Sequence, residues 1–352
     1  MNIFEKITNS YHKKTPFVAY RKPNEAVISG FFMDNDSLFF VDDFSEKGFV
    51  FAPFDNQQKA ILFPINNSEF ISEDLSFDAI KFKEKDFCNN DSSQEQHIKL
   101  VDKTIEVISN NDLKKVVISR KEDLEISDFN LIKTYQKLLQ TYQNAFVYVW
   151  FHPKIGLWLG ATPETLLNIE NNTFKTMSLA GTQVYENTKN IVWKSKELEE
   201  QQLVTDFIES QLTGISSNLK IDKKETIKAG SLLHLRTKVT GELNENSTLK
   251  TLIRALHPTP AVCGLPRGNA KKFILANELY SRSFYTGFLG ELNLQKNKIE
   301  TENSSLFVNL RCMNILDDNV SLFVGGGITK DSIPKNEWEE TVSKSKVMKR
   351  VL

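Results

Sequence analysis

The chain has 352 residues, 40% of them hydrophobic, and its 44 basic and 45 acidic side chains give a formal net charge of −1. This balance argues against a nucleic acid or an anionic membrane surface as a partner, and no run of about 18 apolar residues predicts a transmembrane helix. The amino terminus lacks the apolar core of a secretory signal, and three widely spaced cysteines support neither a disulfide framework nor a zinc site, so we expect a cytoplasmic protein.

Residues 1–95 alternate short apolar segments with turns rich in Asn, Asp, Pro and Gly, a pattern that predicts strands. The predicted strands are Phe17–Tyr20, Ala26–Phe32, Ser37–Val41, Gly48–Ala52 and Ala60–Phe63. This portion carries no recognisable chemical motif. We expect it to be integral to the same fold as residues 96–352, so that the chain forms one structural domain.

Helices and strands then follow in separate runs. A helix is predicted from about Ser93, where Gln96 completes a capping box, and a strand from Lys115 to Arg120. Later helices are predicted at about 132–142, Ile191–Leu212, Ser247–Leu256, Asn269–Leu279 and from Pro334, and later strands at Ala145–Phe151, within Gly156–Leu179, and at Phe288–Asn293, Ser305–Met313 and Val320–Val324. Strands that are mostly adjacent in sequence, with helices grouped apart, predict an α+β fold with largely antiparallel sheets.

Two of the predicted helices each carry a pair of glutamates three residues apart. Glu197 and Glu200 form the first pair and Glu337 and Glu340 the second, and this spacing places both carboxylates of a pair on one helical face. Such a face is most often solvated. Apolar neighbours such as Trp338, however, put the carboxylates near the edge of a core. If the two faces met, four hard oxygen ligands without His or Cys would favour Mg²⁺ over Zn²⁺.

Between these helices, residues Leu256 to Arg267 form a stretch with three prolines and one glycine, Leu-His-Pro-Thr-Pro-Ala-Val-Cys-Gly-Leu-Pro-Arg. The prolines exclude a regular helix and remove the hydrogen bonds of a central strand. A loop held this stiffly is either the wall of a small-molecule site, with His257, Thr259 and Cys263 projecting from it, or a rigid turn between helices.

The predicted strand Ser305–Met313 contains a charged residue in an apolar segment. Period-two alternation would put Arg311 on one face with Asn309, opposite an apolar face that ends at Cys312. An arginine there either lines a site or extends to solvent from an edge strand. The glycines Gly325–Gly327 lack the spacing of a nucleotide-binding loop, and close approach of the backbone to a carboxylate explains them better.

Nine segments, in a fixed order along the chain, resemble signatures of the chorismate-utilising enzymes. This family includes isochorismate, salicylate, anthranilate and aminodeoxychorismate synthases. The segments are Lys115-Val-Val-Ile-Ser-Arg120, Gly160-Ala-Thr-Pro-Glu164, Leu179-Ala-Gly-Thr182, Glu197-Leu-Glu-Glu200, the His-Pro-Thr-Pro loop, Tyr285-Thr-Gly287, Asn309-Leu-Arg311-Cys, Gly325-Gly-Gly-Ile328 and Glu337-Trp-Glu-Glu340-Thr-Val-Ser-Lys344. The resemblance implies a sandwich-like α+β fold of large, mostly antiparallel sheets with helices packed outside.

The resemblance also implies a chemistry. Lys115 would activate a water for attack at C2 of chorismate, and Glu164 would protonate the departing C4 hydroxyl, roles that suit a desolvated lysine and a buried glutamate. The implied ligands of Mg²⁺ are Glu200 and Glu340, with Glu197 and Glu337 binding directly or through water. The implied substrate contacts are Gly181, Thr182, His257, Tyr285, Arg311, Gly325 and Lys344. Arg311 would hold the enolpyruvyl carboxylate with its guanidinium fork.

Details inside the motifs favour one branch of the family. Aminodeoxychorismate synthases typically carry Lys where Ala180 stands, and anthranilate synthases typically carry Gln where Lys115 stands. The His-Pro-Thr-Pro loop is similar to that of isochorismate synthases. Isochorismate synthesis is therefore the first prediction and salicylate synthesis the second. A non-catalytic chorismate-binding relative is a third possibility, which the joint presence of the implied base, acid and metal ligands disfavours.

The implied partners follow from the same resemblance. We expect chorismate as the substrate, Mg²⁺ as the cofactor, no nucleic acid or membrane partner, and no obligate partner subunit. Isochorismate feeds menaquinone, siderophore and salicylate synthesis, and the sequence does not select among these pathways.

Overall fold

A computed structural model describes residues 2–82, 87, 91–185, 191–229, 232–295, 302–317 and 319–352. Helices and strands are numbered in chain order. The helices are α1 (Ile3–His12), α2 (Asp91–Asn110), α3 (Leu131–Thr141), α4 (Ser195–Leu212), α5 (Leu249–Leu256), α6 (Arg267–Asn277) and α7 (Pro334–Lys349). Helix α2 begins two residues before the predicted start at Ser93, and α1 was not predicted.

The first sheet has nine strands within the described residues, and neighbouring strands are antiparallel. Their order across the sheet is β15 (Gly264–Leu265), β7 (Lys115–Glu125), β19 (Asn319–Ile328), β18 (Cys312–Leu316), β9 (Gly156–Thr162), β8 (Phe146–His152), β1 (Phe17–Arg21), β2 (Val27–Phe32) and β6 (Glu69–Asp74). The proline-rich loop thus supplies the edge strand β15, beside the strand that begins at Lys115.

The second sheet is also antiparallel. Its order is β12 (Ser216–Ile221), β14 (Leu232–Leu243), β11 (Thr173–Val184), β10 (Thr165–Glu170), β17 (Glu302–Val308), β16 (Phe288–Gln295), β4 (Gly48–Ala52), β5 (Ile61–Pro64) and β3 (Phe39–Phe40), with β13 (Glu225–Ala229) paired to β14. Strands β11 and β14 are the two longest strands of this sheet. They form the part of the sheet that lies beside the candidate active site.

Large aromatic side chains fill the layer between the two sheets. Phe51 of β4 stacks on Phe284 with ring centroids 4.2 Å apart, and Phe146 of β8 stacks on Phe307 of β17 at the same distance. Trp150 is fully buried in the same layer. Each ring buries on the order of 150–250 Å², and a favourable ring pair adds about 0.5–1.5 kcal/mol beyond its burial. This layer therefore holds the sheets together.

Helices cover the outer faces of both sheets. Helices α1 and α3 pack on the first sheet, where Ile7 and Leu138 are buried. Helices α2 and α6 cover the β7 end of that sheet with residues such as Val101, and α4 and α5 cover the second sheet with Val204 and Leu252. The predicted α+β fold of large antiparallel sheets with helices packed outside is confirmed.

The predicted strand Ser305–Met313 is in fact two strands in different sheets. Strand β17 ends at Val308 in the second sheet, β18 begins at Cys312 in the first, and Arg311 between them has a φ of 47°. The predicted alternation is wrong beyond Val308, because Phe307 and Cys312, assigned to opposite faces, both lie in the layer between the sheets. The crossing puts Arg311 at the junction of the two sheets.

Strands from residues 1–95 take part in both sheets. Strand β1 pairs with β8 in the first sheet, and β4 pairs with β16 in the second, so this portion is hydrogen-bonded to the rest of the chain in both sheets. The predicted boundary at 95/96 falls inside α2. Both facts support one structural domain, which stays a prediction.

Candidate active site

A pocket opens where one end of the first sheet meets one end of the second. Strands β7 and β19 contribute Val117 and Gly325–Gly327, and β11 and β14 contribute Leu179–Thr182 and His234. Helix α4 packs on the second sheet and α7 on the first, and both close the pocket with acidic and basic side chains. The charged residues that line it are Glu164, Glu200, Arg311, Glu340 and Lys344, and its aromatic lining includes Tyr285 and Phe323.

Nine of the thirteen predicted site residues line this pocket. They are Glu164, Gly181, Thr182, Glu200, Tyr285, Arg311, Gly325, Glu340 and Lys344. The remaining four are Lys115, Glu197, Glu337 and His257. Three of these lie next to lining residues, as the contacts below describe, and His257 does not.

Lys115 lies directly behind the pocket wall. Its side chain is fully buried, and its Nζ is 2.7 Å from Oε1 of Glu200, which does line the pocket. Gly327 lies directly against both groups: a Cβ on this glycine would come within 2.6 Å of Glu200 Oε1 and 2.7 Å of Lys115 Cε. Only a residue without a side chain lets this pair approach the β19 backbone so closely.

Glu340 and Lys344 form a second ion pair, one helical turn apart on α7. The Lys344 Nζ is 2.5 Å from Oε1 of Glu340, and it also donates a hydrogen bond to the carbonyl of Gly325 at 2.8 Å. Burial by itself would raise the pKa of Glu340, but the Lys344 ammonium brings it below its usual value. Glu340 is therefore a carboxylate at neutral pH and an anionic ligand for a cation.

Glu337 is linked to the other acidic helix. Lys196 of α4 donates to its Oε1 at 2.5 Å, while its Oε2 is buried without a hydrogen-bond partner. Burial, followed by the charge of Glu340, raises the pKa of Glu337. A buried carboxylate oxygen that lacks a partner is costly, so this atom is a ready acceptor for a cation or a bound water.

Glu197 has a structural contact at the start of α4. Its Oε2 accepts a hydrogen bond from the backbone N–H of Lys194 at 3.1 Å, which caps the start of α4. The Cβ of Glu197 lies 3.2 Å from the place where a Cβ on Gly181 would stand. This helix start therefore packs against the β11 wall, and a ligand role for Glu197 stays a prediction.

The carboxylate oxygens of the pocket are the kind of ligand that Mg²⁺ prefers. Glu200 and Glu340 line the pocket, and Glu337 has the orphaned oxygen, so hard anionic ligands are at hand. Across the ranges that the structure describes, no three acidic, His or Cys side chains are grouped as a metal site. Lysines pair with the carboxylates of Glu200, Glu337 and Glu340 and neutralise their charge.

Glu164 lies in the link between β9 and β10. It is 4% exposed, and its backbone carbonyl accepts a hydrogen bond from Val308 N–H at 3.0 Å, which fixes the link against β17. Burial raises the pKa of Glu164 to about 8, although the nearby charges of Lys115, Arg311 and Lys344 oppose the rise. Glu164 thus keeps its proton at neutral pH and can donate it.

Arg311 and Tyr285 line the pocket where the two sheets meet. Burial lowers the pKa of Arg311, but an arginine keeps its charge in a protein. The Tyr285 ring stacks on Phe323 with centroids 5.5 Å apart, and a Cβ on Gly325 would be 3.2 Å from its hydroxyl. Guanidinium and phenol donors near an exposed glycine backbone suit a carboxylate ligand.

His234 is a pocket residue that the sequence argument missed. It is 6% exposed, its Nδ1 is 3.2 Å from both the Gly181 carbonyl and the Thr182 hydroxyl, and its Nε2 has no hydrogen-bond partner. Burial lowers its pKa to about 3, so the ring is neutral. If Nδ1–H donates to the carbonyl, Nε2 is a free acceptor for a substrate hydroxyl. The alternation Leu235, Arg236, Thr237 could have revealed its strand.

His257 is not brought to the pocket. It ends α5, its Nε2 is 3.3 Å from the Pro53 carbonyl, and its ring packs edge-on against Phe288. The reason is the course of the proline-rich loop, which runs along β7 and turns a different part of itself, Ala261 and Val262, towards the pocket. The loop is therefore a wall of the site, but not through His257, and burial, which lowers the pKa of this histidine to about 4, fits a structural role.

The chain is similar to known proteins over most of its length. A family model described as "Chorismate binding enzyme" matches residues 56–352. The isochorismate synthase DhbC of Bacillus subtilis is 30% identical over 204 residues, which is 55% of this chain and 50% of the relative. The isochorismate synthase MenF of Escherichia coli is 27% identical over 277 residues, 74% of this chain and 62% of the relative. The chain thus spans about half to two thirds of the length of these curated relatives.

Further matches include an anthranilate synthase component and two solved structures. Anthranilate synthase component 1 of Lactococcus lactis is 26% identical over 270 residues, 74% of this chain and 58% of the relative. A crystal structure described as a 2,3-dihydroxybenzoate-specific isochorismate synthase, DhbC, from Bacillus anthracis superposes with a TM-score of 0.80 at 23% identity, covering 99% of both chains. Escherichia coli MenF superposes with a TM-score of 0.79 at 21% identity, covering 96% of this chain and 88% of that one. At these identities the two structures establish the fold.

Proposed function

Because this chain belongs to the chorismate-binding enzymes, we propose that its pocket converts chorismate to isochorismate with Mg²⁺ as cofactor, an isomerase reaction. One observation carries the proposal: a buried, protonated carboxyl, Glu164, shares a pocket with the cations Arg311 and Lys344, and a buried lysine lies directly behind. The names of the DhbC and MenF relatives support the same activity.

The proposed substrate contacts follow from charge. Chorismate carries two carboxylates, and Arg311 holds the enolpyruvyl carboxylate with its planar fork, aided by the Tyr285 hydroxyl. Lys344 is held by the Gly325 carbonyl and adds positive potential at the same end. The neutral Nε2 of His234 and the Thr182 hydroxyl, both at the β11–β14 wall, are placed to bond uncharged oxygens of the ring.

The proposed proton transfers use Lys115 and Glu164. As the general base, Lys115 takes a proton from water, whose oxygen adds to C2 while the ring double bonds shift. The C4 hydroxyl leaves with the proton of Glu164, so one water enters, one leaves, and the formula is unchanged. General base and general acid each contribute roughly 10² to 10⁴ in rate.

Mg²⁺ would be held by Glu200 and Glu340, with Glu337 and Glu197 acting directly or through water. Bound there, it supplies positive charge for the ring carboxylate and withdraws electron density from the ring. Lys115, the partner of Glu200, acts on water, and Lys344, the partner of Glu340, acts on substrate.

The test is to incubate the purified protein with chorismate and Mg²⁺ and to resolve the products. We expect isochorismate, loss of turnover with EDTA, and recovery with Mg²⁺. Salicylate with pyruvate would support the second prediction instead, and unchanged chorismate at all pH values and metals tested would contradict an enzyme activity. Full turnover after rigorous chelation would contradict the metal assignment.

We also propose that the chain acts without a partner subunit, as one domain. By its name, the anthranilate synthase component 1 relative is one part of a larger enzyme, so this point needs its own test. Activity of the purified single chain would support it. No described helix is long and apolar enough to cross a membrane, and a cytoplasmic location stays a prediction.

A further inference from the structure

Strand β7 presents different chemistry on its two faces. Its first residue, Lys115, and the next on that face, Val117, are directed to the pocket. Val116 and Ile118 face the opposite way and are buried against α2 and α6. Arg120 belongs to this outer face by the same alternation, yet it is a charged residue that is only 6% exposed. A buried arginine on a face away from the pocket needs a reason.

Arg120 is bonded to helix α7. Its guanidinium carbon lies over the Trp338 ring, 4.4 Å from the ring centroid, and its Nε donates to the Thr341 hydroxyl at 2.8 Å. Its Nη1 donates to Glu122 at 3.0 Å, and the other oxygen of Glu122 is 2.6 Å from Nζ of Lys349, at the end of the same helix. Arg120 thus contacts α7 at Trp338 and Thr341, and Glu122 contacts it at Lys349. Both contacts come from the face of β7 that points away from the pocket.

The residues that Arg120 contacts alternate along α7 with the candidate site residues. Trp338 follows Glu337, and Thr341 follows Glu340. Trp338 and Thr341 are three residues apart and share one helical face, while Glu337 and Glu340 share the adjacent face. The two faces are about 100° apart around the helix, so a rotation that moved the first face would move the second by the same angle.

We propose that Arg120 is a positioning residue: by stacking on Trp338 and bonding Thr341, it fixes the rotation of α7 and so directs Glu340 and Lys344 into the pocket. The inference builds on the function proposed for that pocket. It also explains why arginine stands here, since a lysine offers neither a flat surface for the indole nor a rigid fork that can bond two partners at once.

The experiment compares Arg120→Met with Arg21→Met as a matched control. Arg21 is 3% exposed and donates to the carbonyls of Tyr142 and Ala145 from β1, so its loss also removes a buried, bonded arginine. Two quantities are measured on folded protein: the Mg²⁺ dissociation constant by calorimetry without substrate, and the amide exchange rate across 334–349. Steady-state kinetics with chorismate then separate the apparent KM for Mg²⁺ from kcat.

For Arg120→Met we expect the Mg²⁺ dissociation constant and the apparent KM for Mg²⁺ to rise about tenfold. We expect α7 amides to exchange about tenfold faster, and kcat at saturating Mg²⁺ to change less than about threefold. Arg120→Lys should restore only part of the metal affinity. Arg21→Met should lose stability without these changes. If Arg120→Met does not fold, Thr341→Val removes one of the bonds, and we expect a smaller shift in the same direction.

Unchanged metal affinity and α7 exchange in folded Arg120→Met, or in Thr341→Val where that variant replaces it, would overturn the proposal. Equal effects in Arg21→Met would overturn it as well, because they would reveal general destabilisation. A protein that turns over no chorismate, but whose α7 exchange depends on Arg120, would leave the positioning role standing and remove the proposed reaction alone. The two failures are therefore distinguishable.

Discussion

The carboxyl of Glu164 has the surroundings that an acid catalyst needs. A glutamate in water loses its proton near pH 4.3, whereas burial raises the pKa of Glu164 to about 8. Three cations near it, Lys115, Arg311 and Lys344, oppose this rise without cancelling it. Desolvation therefore outweighs Coulombic attraction at this position, and the proton that the proposed reaction requires is available at physiological pH.

This pKa sets the expected pH dependence. In the proposed reaction Glu164 acts in its protonated form, so kcat/KM should fall as the pH rises through about 8. The measurement is kcat/KM for chorismate against pH at saturating Mg²⁺. If the residual activity of Glu164→Gln showed the same alkaline limb, the limb would belong to another group.

Substitution should separate the base from the acid. Lys115→Ala and Glu164→Gln should each lose turnover by roughly 10² or more, because each removes one proton transfer. Added primary amine should restore part of the activity of Lys115→Ala and none to Glu164→Gln. Chorismate binding should persist in both, measured by calorimetry with Mg²⁺. Near-normal turnover of Lys115→Ala would leave this lysine as a buried partner of Glu200 only.

At the scale of elements, the glycines of β19 let charged groups of the site lie against a strand. Gly327 faces Lys115 and Glu200, whereas Gly326 faces Glu337 and Glu340 at ordinary contact distances. The two neighbouring glycines therefore offer an internal comparison in one strand.

Gly327→Ala should lower kcat by about tenfold or more, because its Cβ would displace the Lys115 and Glu200 side chains from their present positions. Gly326→Ala is the matched control, since the nearest atom, Glu337 Oε2, is 3.4 Å from its added Cβ. Turnover and thermal midpoint are measured for both. Equal losses in the two variants would mean that strand flexibility, and not side-chain space, is what the glycines provide.

Helices α4 and α7 meet through one lysine. Lys196 of α4 donates to the buried carboxylate of Glu337 on α7. Its ammonium therefore competes with a bound cation for the same charge. We expect Lys196→Met to bind Mg²⁺ about tenfold more tightly, because removal of a nearby positive charge favours a divalent ion. Calorimetry without substrate measures this, with Lys194→Met as the control, since Lys194 is exposed at the same helix start. Weaker binding by Lys196→Met would show that Lys196 orders Glu337 for the metal instead.

Sequence patterns predicted helices and strands best where the local pattern of apolar residues alone determines the element. The strand of Lys115 and the helix of Glu337 have strong local signals, and both exist. The segment around Arg311 has an unbroken strand pattern, yet its chain changes sheet, a tertiary event that local alternation does not encode. Strands β12 to β14, and with them His234, were not predicted, although in β14 the buried Leu233, Leu235 and Val239 alternate with polar residues.

At the scale of the whole molecule, the sequence showed the order of the motifs along the chain. It did not show how they come together in space. Glu164 and Arg311 belong to distant parts of the sequence, and β10 and β17 make them neighbours by pairing side by side. His257 belongs to a matching motif, yet the loop turns it into the core against Phe288. Motif identity thus predicts which segments form the site, whereas the direction of each side chain depends on the packing of both sheets.

The central claim is that this pocket adds the oxygen of water to C2 of chorismate and releases the C4 hydroxyl. The direct measurement is a short reaction of protein, Mg²⁺ and chorismate in ¹⁸O-labelled water, with the product analysed by mass spectrometry. We predict isochorismate that carries one solvent oxygen, absent when Glu164→Gln replaces the protein. Isochorismate without the label, or no isochorismate at all, would contradict the account.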